Sequence, residues 1–253
     1  MELHLLSSLA EPFPAALAEI TAPLLQGNRD RQPAVAYLPA GAVHRHFVRE
    51  TQAALRGIAQ VIAVKVEAHP ARRLQEALRR ADLVYMPGGN TYLMAQRLHA
   101  AGAMPLLKRR LQEGLPLLAL SAGCVLCGLD ILTTNDINCC GCVHFDGLGL
   151  VGLNINVHYP GGDSRLQQER DERLGEYQLF HPHPVLALED GAYLRVSGDA
   201  PPSGAGRGLA LDSSSSYFQL LRGAGWWLEP EGRKERLETG WSRIIFGSPL
   251  LSS

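Results

Sequence analysis

Short, continuous apolar runs recur along the first half of the chain, and segments with helical spacing of apolar positions separate them. Runs of this length are typical of strands buried on both faces. We predict strands over residues 3–7, 34–38, 61–66, 83–86 and 117–120. We predict helices over 13–25, 44–56, 71–80 and 91–112, the last broken near 102–105. This alternation indicates an α/β fold: a three-layer sandwich with a mostly parallel central sheet and helices on both faces.

The pattern changes in the second half. Residues 152–160 alternate like a strand, 165–180 are helical and highly charged, and 184–196 predict a β-hairpin. The C-terminal part contains three tryptophans and predicts smaller β elements that finish the sheet. Since neither an internal repeat nor a linker is evident, we expect one domain over 1–253.

Composition narrows the class of protein. The formal net charge is −1, from 24 basic and 25 acidic residues, which argues against a nucleic-acid or membrane-surface partner. No run approaches the roughly 18 apolar residues of a membrane span. The N-terminus lacks the basic region of a signal peptide, so we expect a cytoplasmic protein. Oligomeric state stays open.

The five cysteines lie close together in the sequence, at Cys124, Cys127, Cys139, Cys140 and Cys142. Their spacing matches neither paired C-x₂-C motifs nor a C₂H₂ zinc site. We expect no metal, and we expect the cysteines to be small buried thiols and part of a loop in a reducing compartment.

A candidate nucleophile follows the last apolar run of the first half. The run 117–120 stops at Ser121, with Ala119 and Gly123 two positions to either side. This resembles G-x-S-x-G, in which a strained strand-to-helix turn exposes the serine hydroxyl at the end of a sheet. The alternative is that Ser121 only caps the next helix.

A serine nucleophile needs a base and a group that orients the base. Among nine histidines, His158 is favoured because it ends a predicted strand, as Ser121 does. The orienting acid could be Glu189, which closes a short apolar strand, or Asp136, which is nearer to Ser121 in sequence. A carboxylate at either place could also be a solvated turn residue.

Two glycines follow the strand predicted over 83–86. Gly88 and Gly89 would let the backbone approach a ligand and direct an N–H toward an oxyanion. An ordinary turn, with Asn90 or Thr91 as the N-cap of the next helix, is the alternative. The sequence "GLGLVG" precedes a strand instead of opening a helix, so it is not a dinucleotide site.

Taken together, these stretches resemble peptidase E, the α-aspartyl dipeptidase family of serine peptidases, whose fold is related to class I glutamine amidotransferases. The resemblance extends over about residues 1 to 198 and is weak beyond. The matching stretches are "MELHLLSS", "PGGNTYLM", "ALSAGC", "TTNDI", "FDGLGL", "LNINVHY", "ERDERL" and "LALEDGAYLRV".

The resemblance implies a Ser–His–Glu triad, which corresponds here to Ser121, His158 and Glu189. Asp136 matches a family aspartate that has been considered for the third role.

The resemblance also implies an oxyanion hole formed by the backbone of Gly88 or Gly89 together with Ala122. Arg170 matches a family arginine associated with the aspartate side chain of the substrate, although its charged helix could be no more than a polar face. We expect Asn90 and Arg170 to bind substrate.

Three features depart from the family pattern. Pro87 replaces the first of three glycines and has no N–H. Cys124 stands where a smaller residue is usual, and the loop 138–144 replaces the usual sequence after "TTND".

The implied activity is hydrolysis of short peptides, foremost dipeptides with N-terminal aspartate, through an acyl-enzyme on Ser121. Neither metal nor organic cofactor is required. The alternatives are a related hydrolase of different peptide specificity, such as a cyanophycinase-like enzyme, and a non-catalytic relative.

Overall fold

The computed structural model describes residues 1–26, 31–43, 46–67, 71–162, 164–198 and 215–245. The first half follows the predicted order of elements. Its strands are β1 (Glu2–Leu6), β2 (Ala34–Tyr37), β3 (Gln60–Ala63), β4 (Leu83–Met86) and β5 (Leu117–Leu120). Its helices are α1 (Phe13–Leu24), α2 (His46–Ala54), α3 (Ala71–Arg80), α4 (Thr91–Ala100) and α5 (Ala103–Gln112). Residues 44 and 45 of the helix predicted over 44–56 lie outside the described ranges.

The second half adds two helices and seven strands within the described ranges. The helices are α6 (Ala122–Leu126) and α7 (Ser164–Phe180). The strands are β6 (Asn154–Tyr159), β7 (Val185–Glu189), β8 (Tyr193–Ser197), β9 (Ser216–Arg222), β10 (Ala224–Leu228), β11 (Lys234–Glu238) and β12 (Ser242–Ile245). None of the helices in these ranges is long and apolar enough to cross a bilayer.

The large sheet has eight strands in the order β12-β9-β8-β1-β5-β4-β2-β3. From β1 to β3 every pairing is parallel, whereas β8, β9 and β12 form an antiparallel edge. Because β1, β5, β4 and β2 run in the same direction, their carboxyl ends meet at one edge, where ligands bind in open α/β sheets.

Helices cover both faces of this sheet, because alternate strand residues point to opposite sides. Leu6 faces a core that includes Leu17 of α1 and Leu55, the residue directly after α2. Leu5 faces a core built by α3, α4, α5 and α6, which includes Leu107. Helices α4 and α5 are separated at Gly102, whose φ of 60° lies in the left-handed region that glycine adopts readily. The predicted three-layer α/β architecture is confirmed.

A second sheet of four strands has the order β11-β10-β7-β6. Its inner face joins the main core through residues such as Ile155 and Leu188. Its outer face packs against α7 through a smaller cluster that includes Val185, Ala187 and Leu174.

The hairpin predicted over 184–196 is wrong. Residues 184–196 do form two strands, but β7 pairs with β6 and β10, whereas β8 pairs with β1 and β9. The short connection between them therefore crosses from one sheet to the other. The expectation that C-terminal strands finish the sheet holds for β9 and β12, while β10 and β11 build the second sheet.

Candidate active site

Ser121 lies in a sharp turn between β5 and α6. Its φ of 51° and ψ of −111° fall in a region that a residue with a side chain rarely adopts. The Ser121 N–H donates to the Leu6 carbonyl at 2.9 Å, and the Ser121 carbonyl accepts from the N–H groups of Cys124 and Val125. The turn is thereby anchored to both β1 and α6, and it has the geometry expected of a nucleophile elbow.

Close backbone approach explains the small residues around this turn. A Cβ on Gly123 would lie 2.5 Å from the Met86 carbonyl oxygen, so a larger residue would separate α6 from β4. A Cβ on Gly88 would lie 3.2 Å from the Ser121 Cβ. The glycine loop, formed by Gly88 and Gly89, therefore lies directly against the serine. In the described part of the chain no acceptor is hydrogen-bonded to the amides of Gly88 and Gly89.

His158 is held next to Ser121 by an irregularity in β6. The register with β7 shifts between Asn156 and Tyr159, and His158 adopts a φ of 54°. Its N–H donates to the Ser7 hydroxyl at 2.8 Å, and that hydroxyl donates to the Leu188 carbonyl at 3.2 Å. This bulge turns the imidazole toward the end of the large sheet.

The imidazole connects Ser121 to a carboxylate. Ser121 Oγ lies 2.8 Å from His158 Nε2, and His158 Nδ1 lies 2.6 Å from an Asp190 carboxylate oxygen. In the tautomer that this arrangement favours, Nδ1–H donates to Asp190 and Nε2 accepts from the serine hydroxyl. The hydrogen-bonded series Ser121–His158–Asp190 is called the relay below. The side chains of His158 and Asp190 are 42% and 69% exposed, so the relay is open to solvent.

The structure therefore does not bring Glu189, the predicted acid, to His158. Glu189 forms an ion pair with Arg236 of β11. The reason is that successive side chains of a strand point to opposite faces of the sheet. Glu189 continues the series of Val185 and Ala187, whose side chains face α7, whereas Asp190 belongs to the turn beyond β7.

Asp136, the alternative acid, also has other partners. Its carboxylate accepts from the Thr91 N–H at 2.7 Å, the Thr91 hydroxyl at 2.6 Å and the Thr134 hydroxyl at 3.2 Å. The carboxylate thus binds the N-terminal turn of α4, where a negative charge is favourable. The next residue along the chain, Ile137, accepts from Asn90 Nδ2 at 3.1 Å.

Asn90, a predicted substrate-binding residue, is the N-cap of α4. Its Oδ1 accepts from the Leu93 N–H at 2.9 Å. With Nδ2 bonded to Ile137, both ends of the amide take part in the fold. The structure therefore contains the helix-capping role that was given above as the alternative for Asn90.

Arg170, a predicted substrate-binding residue, lines a cavity of about 470 Å³ next to His158. Its Nη1 donates to Asn156 Oδ1 at 3.0 Å and to the His158 carbonyl at 3.4 Å, while its buried Nε has no hydrogen-bond partner in the described chain. Burial and the nearby positive charge of Arg173 lower the pKa of Arg170, but a guanidinium remains protonated at neutral pH. Within the described residues neither arginine has a carboxylate partner within ion-pair distance.

The cysteine thiols are not hydrogen-bonded to the side chains of Ser121, His158 or Asp190 in the described part of the chain. Cys124 and Cys127 are fully buried, and burial raises the pKa of both thiols, so they stay protonated at neutral pH. Cys124 Sγ lies 3.1 Å from the carbonyls of both Leu6 and Ala119. Cys139 and Cys140 are exposed, and all five thiols are free. No three His, Cys, Asp or Glu side chains of the described ranges are arranged to hold a metal ion.

Sequence reasoning missed three residues of the site. Asp190 is one, although the pair Asp190–Gly191 is a common turn signal and marks the end of β7. Ser7 and Ser8 are the others, since the Ser8 hydroxyl accepts from the Gly191 N–H at 2.8 Å. The sequence feature that could have indicated Ser7 and Ser8 is their position directly after the apolar run of β1, at the edge of the sheet where the relay forms.

Comparison with known proteins identifies a peptidase family. The model of peptidase family S51 matches residues 5–201. Peptidase E of Streptomyces coelicolor is 34% identical over 202 residues, which cover 78% of this chain and 79% of that protein. A probable alpha-aspartyl dipeptidase of Drosophila melanogaster is 40% identical over 129 residues, which cover 49% of this chain and 54%, about half, of the fly protein.

Solved structures agree at the level of the fold. A peptidase from an acI-B1 actinobacterium superposes with a TM-score of 0.66 at 17% identity, covering 96% of each chain. A putative peptidase E protein from Listeria monocytogenes gives a TM-score of 0.60 at 21% identity, covering 77% of this chain and 93% of that one. With a family model that matches most of its length, this chain belongs to peptidase family S51.

Proposed function

We propose that this serine-type peptidase hydrolyses short peptides, foremost dipeptides with N-terminal aspartate, with Ser121 as nucleophile, His158 as general base and Asp190 as orienting acid. One observation carries the proposal: the contacts of 2.8 Å and 2.6 Å that connect serine, histidine and aspartate at a strained elbow. Asp190 replaces Glu189 in the role predicted from the sequence.

The proton path follows from these contacts. His158 Nε2 accepts the hydroxyl proton as Ser121 Oγ attacks the substrate carbonyl, and Asp190 stabilises the imidazolium that forms. His158 then gives the proton to the leaving amine, so that the C–N bond breaks and an acyl-enzyme remains. Water then attacks the acyl-enzyme while His158 accepts one of its protons, and His158 passes this proton to Ser121 Oγ as the ester bond breaks and the acid product leaves.

Backbone amides next to Ser121 would stabilise the oxyanion of the tetrahedral intermediate. We assign this role to Ala122 and to Gly88 or Gly89, since Gly88 lies against Ser121. Pro87 contributes no donor because it lacks an N–H. Loss of one such donor costs about 3–4 kcal/mol where it has been measured.

Two arginines of the cavity support the preference for aspartate. Arg170 and Arg173 line the cavity beside His158 without a carboxylate partner in the described chain. A guanidinium can bind a substrate carboxylate through two parallel hydrogen bonds. The name of the fly relative, a probable alpha-aspartyl dipeptidase, fits the same substrate class.

A substrate panel tests this assignment. We expect kcat/KM for aspartyl-leucine to exceed that for the isosteric asparaginyl-leucine, and Arg170→Ala to reduce the aspartyl value by about 10²-fold while changing the asparaginyl value little. Ser121→Ala is the inactive control. Equal losses on both peptides would make Arg170 structural, and no aspartate preference in the parent would indicate another peptide specificity.

We further propose that residues 1–253 act as one α/β hydrolytic domain in the cytoplasm, without nucleic-acid, membrane or cofactor partners. Support comes from the apolar cluster that the two sheets share and from the net charge near zero.

A further inference from the structure

The β10–β11 hairpin lies outside the segment that matches the family model, yet it contacts the site through two cations. Lys234 Nζ lies 2.7 Å from the Asp171 carboxylate, and Arg236 forms an ion pair with Glu189. Asp171 is the neighbour of Arg170 in sequence, and Glu189 is the neighbour of Asp190. Each hairpin cation therefore neutralises a carboxylate next to a proposed site residue.

The hairpin holds these two cations in fixed places. Lys234 and Arg236 are two residues apart on β11 and so share one face of the strand. Both lie over the Trp226 ring, at 4.2 Å and 5.0 Å from its centroid. Lys234 also donates to the Tyr159 hydroxyl at 2.7 Å. Cation–π contact and the ion pairs together restrict where these long side chains can lie.

The carboxylates that line the cavity have basic partners, whereas two of the lining arginines have no carboxylate partner in the described chain. Three carboxylates line the cavity, and each has a basic partner: Glu169 has Arg165 at 3.2 Å, Asp190 has His158, and Glu189 has Arg236. The two lining arginines, Arg170 and Arg173, have no such carboxylate partner within the described ranges. Of these partners, Arg236 alone comes from the hairpin.

Glu189 would be the natural partner of Arg170 if Arg236 were absent. Its carboxylate lines the same cavity and packs beside Gly161. Glu189 ends the face of β7 that packs against α7, and α7 is the helix that carries Arg170. An unpaired Glu189 would attract Arg170 and repel a substrate carboxylate in the same cavity.

We propose that Arg236 determines the specificity of this site for acidic side chains: it pairs with Glu189 and so leaves Arg170 to bind the substrate carboxylate. The inference rests on the proposed function. Arg236 acts through Glu189 and touches no reacting atom, so it is a positioning residue.

The experiment compares aspartyl-leucine with asparaginyl-leucine in the parent and in Arg236→Gln. We expect Arg236→Gln to lower kcat/KM for the aspartyl peptide about tenfold or more, mainly through KM, and to change the asparaginyl value less than about threefold. In the double variant Arg236→Gln/Glu189→Gln the unpaired charge is gone, and we expect the aspartate preference to return to within about threefold of the parent.

Arg233→Gln is the matched control, since Arg233 pairs with Glu229 near the hairpin turn and does not line the cavity. It should leave the ratio between the two peptides unchanged. Should Arg236→Gln not fold, as judged by circular dichroism, the double variant decides, because it contains no uncompensated charge. Retention of the aspartate preference there supports the proposal, and its loss would mean that Arg236 meets the substrate directly.

An equal fall on both peptides, an unchanged ratio in Arg236→Gln, or no recovery in the double variant would overturn the role of Arg236 while leaving the proposed function intact. A parent enzyme without aspartate preference would overturn both.

Discussion

Two described residues other than glycine adopt a positive φ, Ser121 at 51° and His158 at 54°, and both belong to the proposed relay. Such conformations cost on the order of 1–3 kcal/mol each and persist only where neighbouring contacts hold them. Here the Leu6 carbonyl holds the backbone of Ser121, and the Ser7 hydroxyl holds that of His158. The strained residues place a hydroxyl and an imidazole 2.8 Å apart.

The geometry predicts that the two neighbouring acids after β7 contribute differently to turnover. Asp190→Asn removes the charge that stabilises the imidazolium, and we expect kcat for aspartyl-leucine to fall on the order of 10²- to 10⁴-fold. Glu189→Gln should lower kcat less than about tenfold, since Glu189 faces Arg236 and not His158. Steady-state kinetics at saturating substrate measure both. A loss in Glu189→Gln as large as that in Asp190→Asn would return the orienting role to Glu189.

At the scale of elements, the end of β1 organises the site. Three consecutive residues each bind a different segment of the relay: Leu6 accepts from Ser121, Ser7 accepts from His158, and Ser8 accepts from Gly191, the neighbour of Asp190. Because β1 lies between β5 and β8 in the large sheet, this end of the strand is positioned from both sides. The relay therefore depends on the relative placement of β1, β5, β6 and β7.

We expect Ser7→Ala to lower kcat about tenfold or more with little change in KM, since the His158 N–H loses its acceptor and the imidazole its fixed position. Leaving this partly buried N–H without its acceptor should also lower the free energy of unfolding, by about 1 kcal/mol.

Thr133→Val is the matched control for this prediction. The Thr133 hydroxyl donates to the Ile155 carbonyl of β6 at 2.8 Å and does not touch His158. It should lose comparable stability and keep kcat. If kcat fell equally in both variants, the effect of Ser7 would be one of stability alone.

At the scale of the whole molecule, a charged cluster joins the first strand to the antiparallel edge of the large sheet. Glu2 and His4 of β1 contact Arg195 and Tyr193 of β8, with His4 Nδ1 2.6 Å from the tyrosine hydroxyl and Arg195 Nη2 3.2 Å from Glu2. Burial by itself would raise the pKa of Glu2, but hydrogen bonds from His4 and Arg195 outweigh burial and lower this pKa from 4.5 to about 2.

This lowered pKa predicts an acid-dependent loss of stability. Since the folded value lies below the unfolded one, the contribution of Glu2 is complete above about pH 4.5 and is lost as the pH falls through 2. Solvent screening of this partly exposed group reduces the contribution to an order of 2 kcal/mol.

Urea unfolding between pH 7 and pH 3 measures this contribution. Glu2→Gln should be less stable than the parent at pH 7, and the difference should shrink below pH 4.5. Glu113→Gln, which removes a carboxylate from an exposed ion pair with Arg110, should change stability by less than about 1 kcal/mol. A difference between Glu2→Gln and the parent that did not vary with pH would contradict this account.

The order of strands and helices could be predicted from the sequence because burial on one or both faces leaves a periodic pattern in the chain itself. The elbow at Ser121 could be predicted for a similar local reason, since the close approach of Met86 and of the glycine loop admits only small neighbours. The position of His158 near the end of a strand is likewise a local feature of the sequence, and the structure places its Nε2 2.8 Å from the Ser121 hydroxyl.

Only the tertiary structure decided which acid meets His158, which strands β7 and β8 would join, and where Arg236 lies. Glu189 and Asp190 are adjacent carboxylates of similar chemistry. Because successive residues of an extended chain point to opposite sides, Glu189 contacts Arg236 and Asp190 contacts His158. Ser7 lies 151 residues from His158 in sequence, and no periodicity within either segment records that contact. Contacts of this kind depend on how separate strands register in three dimensions, and register is set by the packing of the whole sheet.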